Sequence, residues 1–180
     1  MSSEGGFETV AFTVEDAASD FRSGVAPLDE FFRTQAGQNQ RRNVSRTWVL
    51  RRSSHEDDLP EVLGFYTLTL GGVERQTLPA ALAKKLPRYP APVVIIGRLA
   101  VDERARRRRI GERLLVDAHA RALGIADHAG GVGIIVDAKD AGAVAFYEHY
   151  GYEILEQAEG ARWPKRMFLP IQTLRVAHAR

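Results

Sequence analysis

The pattern of hydrophobic and polar positions predicts strands and helices in turn. Phe7 to Val14 alternates loosely and reads as a first strand. Pro27 opens a helix with Leu28, Phe31, Phe32 and Ala36 on one stripe. Ser45 to Arg52 reads as a strand, Ser53 to Pro60 as a polar turn, and Val62 to Leu70 as a longer strand that Gly71-Gly72 turns into Val73 to Thr77. A short helix follows from Pro79 to Leu86. Pro90 to Val101 contains the run VVIIGRLAV, which suits a central strand buried on both faces. Ile110 to Leu123 is amphipathic: Ile110, Leu114, Leu115, Ala118 and Ala122 share a face, and Gly124 can end the helix. Gly133 to Val136 reads as a buried strand and Asp140 to His149 as a helix closed by a turn at Gly151. Tyr152 to Leu155 and Arg166 to Ile171 are the closing strands. The order predicts an α/β (α+β) fold, a mixed central sheet flanked by helices.

The 180 residues suit a single domain spanning 1–180, with no repeat or linker to divide it. With 44% hydrophobic and 27% charged residues, the chain reads as globular rather than disordered. It has no cysteine, which removes disulfides, cysteine nucleophiles and Cys-type zinc sites and fits a reducing cytoplasm. No stretch approaches the ~20 apolar residues of a membrane helix, and MSSEGGFETV lacks a signal-peptide pattern. A cytoplasmic protein without a membrane partner is expected. The net charge is only +2, but basic residues cluster at Arg41-Arg42, Arg51-Arg52, Lys84-Lys85, Arg104 to Arg109 and Lys165-Arg166. Each pair alone reads as a solvated surface; together they make a polyanionic partner plausible.

The most informative unit is strand, arginine-rich loop, helix: IIGRLAVDERARRRRIGERLL. The first N–H groups of a helix have no intrahelical partner and carry partial positive charge, so they bind phosphate. Gly111 lets a phosphate approach the backbone, and the arginines add charge-assisted hydrogen bonds. A pyrophosphate is the natural guest, against the plain alternative of a charged loop with no ligand. Other constellations fail. The five histidines, His55, His119, His128, His149 and His178, have no metal spacing, so no metal is expected. No Gly-x-Ser-x-Gly elbow appears. Gly130-Gly131-Val132-Gly133 precedes a strand rather than a helix, and His149, at a helix end beside Tyr150, reads as structural.

This segment resembles motif A of the GNAT acetyltransferases, whose loop reads Arg or Gln, two residues, Gly, one residue, Gly or Ala. Arg106 holds the first position and Gly111 the last; Arg109 stands where the family has its middle glycine. If that position needs a left-handed backbone, an arginine there costs roughly 1–2 kcal/mol. The resemblance implies acetyl-CoA as co-substrate, with its pyrophosphate on Arg106, Arg107, Arg108, Arg109, Ile110, Gly111 and Glu112. It further implies that Leu99, Ala100 and Val101 splay from the neighbouring strand and offer backbone groups to the pantetheine arm and the thioester carbonyl. Residues 141–153, AGAVAFYEHYGYE, resemble motif B through Ala143, Phe146, Tyr147 and Gly151-Tyr152. By that likeness Tyr147 is the tyrosine near the sulfur, a general acid, and Phe146 a core or cofactor-packing residue.

The likeness extends to one subgroup, the GNAT toxins of type II toxin–antitoxin modules. Phe21, Gly24, Leu28 and Asp29 match its N-terminal signature, and Arg46, Thr47, Trp48 and Val49 its Arg-Thr-aromatic-Val strand. GRLAVD at 97–102 and MFLPIQTL at 167–174 match as well. The resemblance implies acetylation of the α-amino group of aminoacyl-tRNA, which blocks translation. It implies a ribbon–helix–helix antitoxin, a homodimer, and DNA contacted only indirectly through the antitoxin. Candidate RNA contacts are Arg41, Arg42, Arg46, Lys84, Lys85, Arg88 and Arg104. An α-amine has a pKa of roughly 7.7–8, so much of it is neutral near pH 7 and direct attack on the thioester needs no strong base. Two other readings remain open at this point: an acetyltransferase of a protein or small-molecule amine, and a catalytically silent binding module on the same fold.

Overall fold

The structure, a computed structural model, describes residues 6–53, 58–155 and 163–179. Half of the polar turn expected over Ser53–Pro60, including His55, Glu56 and Asp57, lies outside them, as do residues 1–5. The elements run β1 (Phe7–Ala11), α1 (Val14–Ala17), α2 (Ala26–Glu30), a π-helical turn (Phe31–Gln35), α3 (Ala36–Arg41), β2 (Arg46–Arg52) and β3 (Val62–Val73). Then come α4 (Ala80–Ala83), β4 (Ala91–Val101), α5 (Ile110–Ala129), β5 (Gly133–Ala138), α6 (Ala141–His149), β6 (Glu153–Ile154), β7 (Lys165–Pro170) and α7 (Ile171–His178). The strands hydrogen-bond in the order β1-β2-β3-β4-β5-β7-β6. The β4–β5 pair is parallel, whereas β1–β2, β2–β3, β5–β7 and β6–β7 are antiparallel, so the sheet is mixed as expected.

The chain forms two compact units. The first takes in residues up to Thr69 and Gly97–Ala118. Its core is aromatic: Phe12, Phe21, Phe31, Phe32 and Phe65 are all at most 4% exposed and meet edge-on, tilted or, for Phe31 on Phe65, stacked, with Phe32 and Phe65 centroids 4.7 Å apart. Of the expected stripe, Phe31, Phe32 and Ala36 are buried here and Leu28 is half-buried against them. It comes from a helix interrupted by the π turn, which keeps two adjacent phenylalanines on one face. Gly64 on β3 has a spatial reason. A Cβ there would lie 2.7 Å from the Ala100 carbonyl oxygen and 2.8 Å from Leu114 Cδ1, so only glycine lets β4 and α5 close onto β3.

The second unit takes in Leu70–Ile96 and His119 onward. Val73, Leu78, Ala91, Val93, Ile135, Leu155 and Phe168 form its core. Here the turn expected at Gly71-Gly72 is corrected: β3 runs straight through both glycines to Val73. A Cβ on Gly71 would meet Ile95 Cδ1 at 2.5 Å, so the glycine answers a packing need and not a bend. The helix expected to end at Gly124 continues to Ala129 and stops at Gly130, whose φ of +84° gives the left-handed ending. The closing strand ends at Pro170, and Ile171 opens α7, which the sequence reading missed. That helix is two turns long and buries only Ile171 and Leu174, too short a repeat to stand out as a period. Burial of β4 on both faces holds for Val93, Val94 and Ile96, with Ile95 half-buried, and lapses at the exposed Gly97.

Candidate active site

In the first unit the strand–loop–helix segment is held by an ionic clasp. The Asp102 carboxylate is fully buried and accepts hydrogen bonds from the backbone of Arg22 (3.0 Å) and Arg104 (2.9 Å) and from Arg104 Nε and Nη2 (2.9 Å each). Burial alone would raise its pKa, but the bonds from Arg104 and from the Arg22 and Arg104 amides outweigh burial and hold it below the ordinary carboxylate value. Arg104 also donates to the Asp20 carboxylate (2.6 Å) and carbonyl (2.8 Å). Its guanidinium is thus a structural clamp, not an available cation, and its expected place among the RNA contacts is corrected on that ground.

The next arginine is committed as well. Arg106 Nη2 donates to the Ser23 carbonyl at 2.7 Å, while Ser23 N and Oγ donate to Asp29 Oδ1 at 2.8 and 2.6 Å. The Glu103 amide donates to the Arg22 carbonyl at 2.9 Å. The Phe21–Gly24–Leu28–Asp29 signature therefore builds a ledge: Phe21 anchors it in the core, Gly24 turns at φ +80°, and Asp29 pins Ser23. The loop toward α5 rests on that ledge through Glu103 and Arg106.

Arg107 and Arg109 have φ of +65° and +59°. The left-handed conformation that the middle glycine position calls for is present, and an arginine adopts it. The Arg109 side chain turns onto Glu112, with Nε 2.5 Å from Oε2 and Nη2 3.0 Å from Oε1. Alternating left-handed residues followed at once by a helix start aim successive N–H groups to one side, a concavity that accepts an anion. Ile110 is buried at the start of α5 and fixes that end of the helix; Gly111 and Glu112 follow in the first turn, half-buried. The cradle fits a pyrophosphate. Upstream, the β4–β5 ladder runs from Val94↔Ile134 to Ile96↔Val136, and Leu99, Ala100 and Val101 lie beyond its last pair.

In the second unit, Asp140 caps α6 by accepting from the Ala143 amide at 2.8 Å, and Gly151, at φ +90°, ends it. That ending sets Tyr152 against Tyr147. The Tyr152 amide donates to the Tyr147 carbonyl at 3.2 Å, and the two rings meet edge-on with centroids 5.3 Å apart. Phe146, half-buried, packs on Tyr147 at 5.2 Å and on Tyr150 at 5.2 Å. The Tyr152 hydroxyl lies 2.9 Å from His119 Nε2, and both side chains are buried. Burial, with a smaller contribution from His178, pushes His119 from the ordinary 6.5 down to about 4, so the imidazole is neutral near pH 7. Burial pushes the Tyr147 phenol up to about 12. The Tyr147 hydroxyl has no hydrogen-bond partner among the described residues. Within this unit it is a protonated donor with nothing to donate to, which leaves it open to a ligand. The sequence reading quoted Asp102, His119 and Tyr152 within motifs or counts and gave none of them a role of its own. A buried aspartate and a core histidine carry no spacing signal of their own.

Arg41, Arg42 and Arg46 are exposed around the α3–β2 connection of the first unit, with Arg46 Nη2 3.3 Å from Asn43 Oδ1. Lys84, Lys85 and Arg88 are exposed after α4 in the second.

A mixed sheet whose β4 leads through an anion-binding loop into a helix, with a buried tyrosine on a later helix, defines the architecture of an acyl-CoA-dependent transferase. The Acetyltransferase (GNAT) domain model matches residues 44–154, and the chain belongs to that family. A tRNA-acetylating toxin of Mycobacterium tuberculosis (strain ATCC 25618 / H37Rv) is 36% identical over 139 residues, 77% of this chain and 80% of that one. A probable toxin TacT of Sinorhizobium fredii (strain NBRC 101917 / NGR234) is 31% identical over 163 residues, covering 86% and 85%. Among solved structures, AtaT complexed with acetyl-methionyl-tRNAfMet superposes with a TM-score of 0.82 at 27% identity, over 96% of this chain and 99% of that one. The AtaTR complex bound with AcCoA gives 0.78 at 26% identity, over 96% and 98%.

Proposed function

We propose that this protein transfers the acetyl group of acetyl-CoA to the α-amino group of aminoacyl-tRNA and so acts as the translation-blocking toxin of a toxin–antitoxin module. The observation that carries the reading is the 36% identity, over most of both chains, to a toxin named for acetylating tRNA. The AtaT complex with acetylated methionyl-tRNA supports the same acceptor. A ribbon–helix–helix antitoxin as the neutralising partner, a homodimer as the working form, DNA contact only through the antitoxin, and the cytoplasm as its place complete the proposal.

When bound, acetyl-CoA supplies a thioester carbon open to a neutral amine. The N–H groups at the start of α5, with Gly111 giving close access, hold its pyrophosphate. Arg107 and Arg108 add charge there, whereas Arg106 and Arg109 shape the loop through Ser23 and Glu112. The end of the β4–β5 ladder at Ile96 supports a role for the Leu99, Ala100 and Val101 backbone in holding the pantetheine arm and the carbonyl oxygen. Tyr147 donates a hydrogen bond to the sulfur. Burial holds the phenol protonated, so full proton release from Tyr147 is disfavoured. The hydroxyl therefore serves as a hydrogen-bond and proton donor to the departing sulfur, with the attacking amine as the source that restores its proton. Arg41, Arg42, Arg46, Lys84, Lys85 and Arg88 supply RNA phosphate contacts; Phe146 packs beside Tyr147.

The test is incubation of the purified protein with charged tRNA and radiolabelled acetyl-CoA. Label is expected on the aminoacyl end. Label on a protein or free amine instead, with none on tRNA, refutes the acceptor.

A further inference from the structure

Arg98 stands on β4 immediately before Leu99, in the first unit. Its guanidinium carbon lies 3.7 Å above the ring of Phe31, itself 1% exposed and stacked against Phe65 at 6.2 Å. The side chain is half-buried, yet among the described residues it has no carboxylate and no hydrogen-bond acceptor. Two other half-buried guanidinium groups of this unit differ. Arg51 pairs with Asp16 at 2.5 Å and Arg104 with Asp102 at 2.9 Å. Burial shifts the Arg98 pKa below the ordinary arginine value, as expected of a cation partly out of water with nothing to balance it.

The arrangement is costly unless something answers it. A ring face returns only part of the hydration a guanidinium gives up, and an unpaired sheltered charge disfavours the fold. Phe31 covers one face of the planar group and holds it in place, while the N–H edge, five donors in a fixed fork, remains available in the plane. That fork matches two oxygens of one phosphate.

Its position selects which phosphate. Along the chain, Leu99–Val101 separates Arg98 from the loop at Arg106–Gly111. Gly64 faces Ile110 and Leu114 of α5, whereas the next residue, Phe65, stacks on Phe31; side chains alternate across a strand, so Arg98, seated on Phe31, lies on the sheet face opposite α5 and its pyrophosphate cradle. A phosphate at Arg98 therefore belongs to the molecule that meets the acetyl end, not to the cofactor's pyrophosphate. We infer that Arg98, set by Phe31, binds a phosphodiester of the acceptor strand next to the aminoacyl end, and so distinguishes a nucleic-acid-borne amine from a free one. The inference rests on the aminoacyl-tRNA reading above.

The experiment compares wild type with Arg98→Met and Arg98→Lys in steady-state acetylation of aminoacyl-tRNA and of aminoacyl-adenosine, which carries no phosphate. For Arg98→Met, KM for aminoacyl-tRNA is expected to rise about tenfold, the size of one lost charged hydrogen-bond contact. KM for acetyl-CoA should stay within twofold, and the loss in kcat/KM should be far smaller with aminoacyl-adenosine. Lysine should restore part of the affinity. The salt slope of log kcat/KM should flatten by about 0.7, one phosphate on a single strand. The melting temperature of Arg98→Met should hold or rise, because a purely structural arginine would lower it. A rise in KM for acetyl-CoA instead would assign the group to a cofactor phosphate and overturn the inference. Equal losses on both acceptors, or an unchanged KM for tRNA, would overturn it too. If wild type itself fails to label aminoacyl-tRNA, the acceptor reading falls first and this one with it. Should Arg98→Met not fold, Arg98→Lys and the wild-type preference for tRNA over aminoacyl-adenosine decide the question.

Discussion

From Asp102 to Glu112 most charged side chains are matched inside the molecule; around Tyr147 one polar group is left unmatched. In the loop, Asp102 takes four hydrogen bonds, Arg104 is shared between two aspartates, Arg106 holds a carbonyl and Arg109 holds Glu112. At the end of α6 the neighbouring polar groups, Tyr152 and His119, satisfy each other, and the Tyr147 hydroxyl has no partner among the described residues. The loop spends charge on shape, because a backbone that must offer N–H groups to an anion has to be rigid before the anion arrives. The aromatic cluster spends burial on chemistry, because a phenol kept protonated is useful only if its proton has no partner at home.

Breaking the unmatched group has the largest expected effect. Tyr147→Phe should cut turnover by about 10²–10⁴-fold, the usual range for a positioned proton donor, while calorimetry finds acetyl-CoA binding nearly unchanged. Near-full activity would remove Tyr147 from the reaction. On the matched side, Asp102→Ala leaves the Arg22 and Arg104 amides without their acceptor and Arg104 with Asp20 alone, and should cost about 2–3 kcal/mol in chemical denaturation. A loss under 1 kcal/mol would mean the clasp is not what shapes the loop.

A pH series sharpens the comparison further. The His119 pKa in the fold lies below its ordinary 6.5, so between about 6.5 and 4 the unfolded chain binds the extra proton. The contribution is fully present above 6.5 and is lost as pH falls toward 4, by roughly 3 kcal/mol. His119→Gln should abolish that slope while Asp102, whose pKa is also depressed, still gives an acid limb below about 4. The smallest effect belongs to Arg109→Gly. Relief of the left-handed backbone, roughly 1–2 kcal/mol, outweighs the added chain entropy of glycine, roughly 0.5–1 kcal/mol. A gain of about 0.5 kcal/mol is expected in melting experiments. A loss would mean that the Arg109–Glu112 pair outweighs the backbone strain.

Much of this was legible in the residue pattern. The α5 stripe is long and regular enough to be read directly, and Ile110, Leu114, Leu115, Ala118 and Ala122 are all buried as expected. Gly71 and Gly124 misled, because a glycine looks the same in sequence whether it bends the chain, ends a helix or makes room for a neighbour such as Ile95. The arginine run misled in the same way. Periodicity and composition treat Arg98, Arg104, Arg106 and Arg107 alike.

The sequence by itself determined most of the order of elements, the strand, arginine-rich loop and helix leading into α5, and the place of Tyr147 on α6, because these rest on local spacing, helix starts and short motifs. The tertiary structure decided which charges are spent and which remain. Pairing with Asp20, Asp102 or Ser23, or a seat on Phe31, joins positions up to 84 residues apart, as in Arg104 with Asp20. No local pattern encodes where a distant partner folds back. That is why Arg104 changed from a contact for RNA into a clamp, and why Arg98 emerged as a half-buried cation with no acceptor among the described residues.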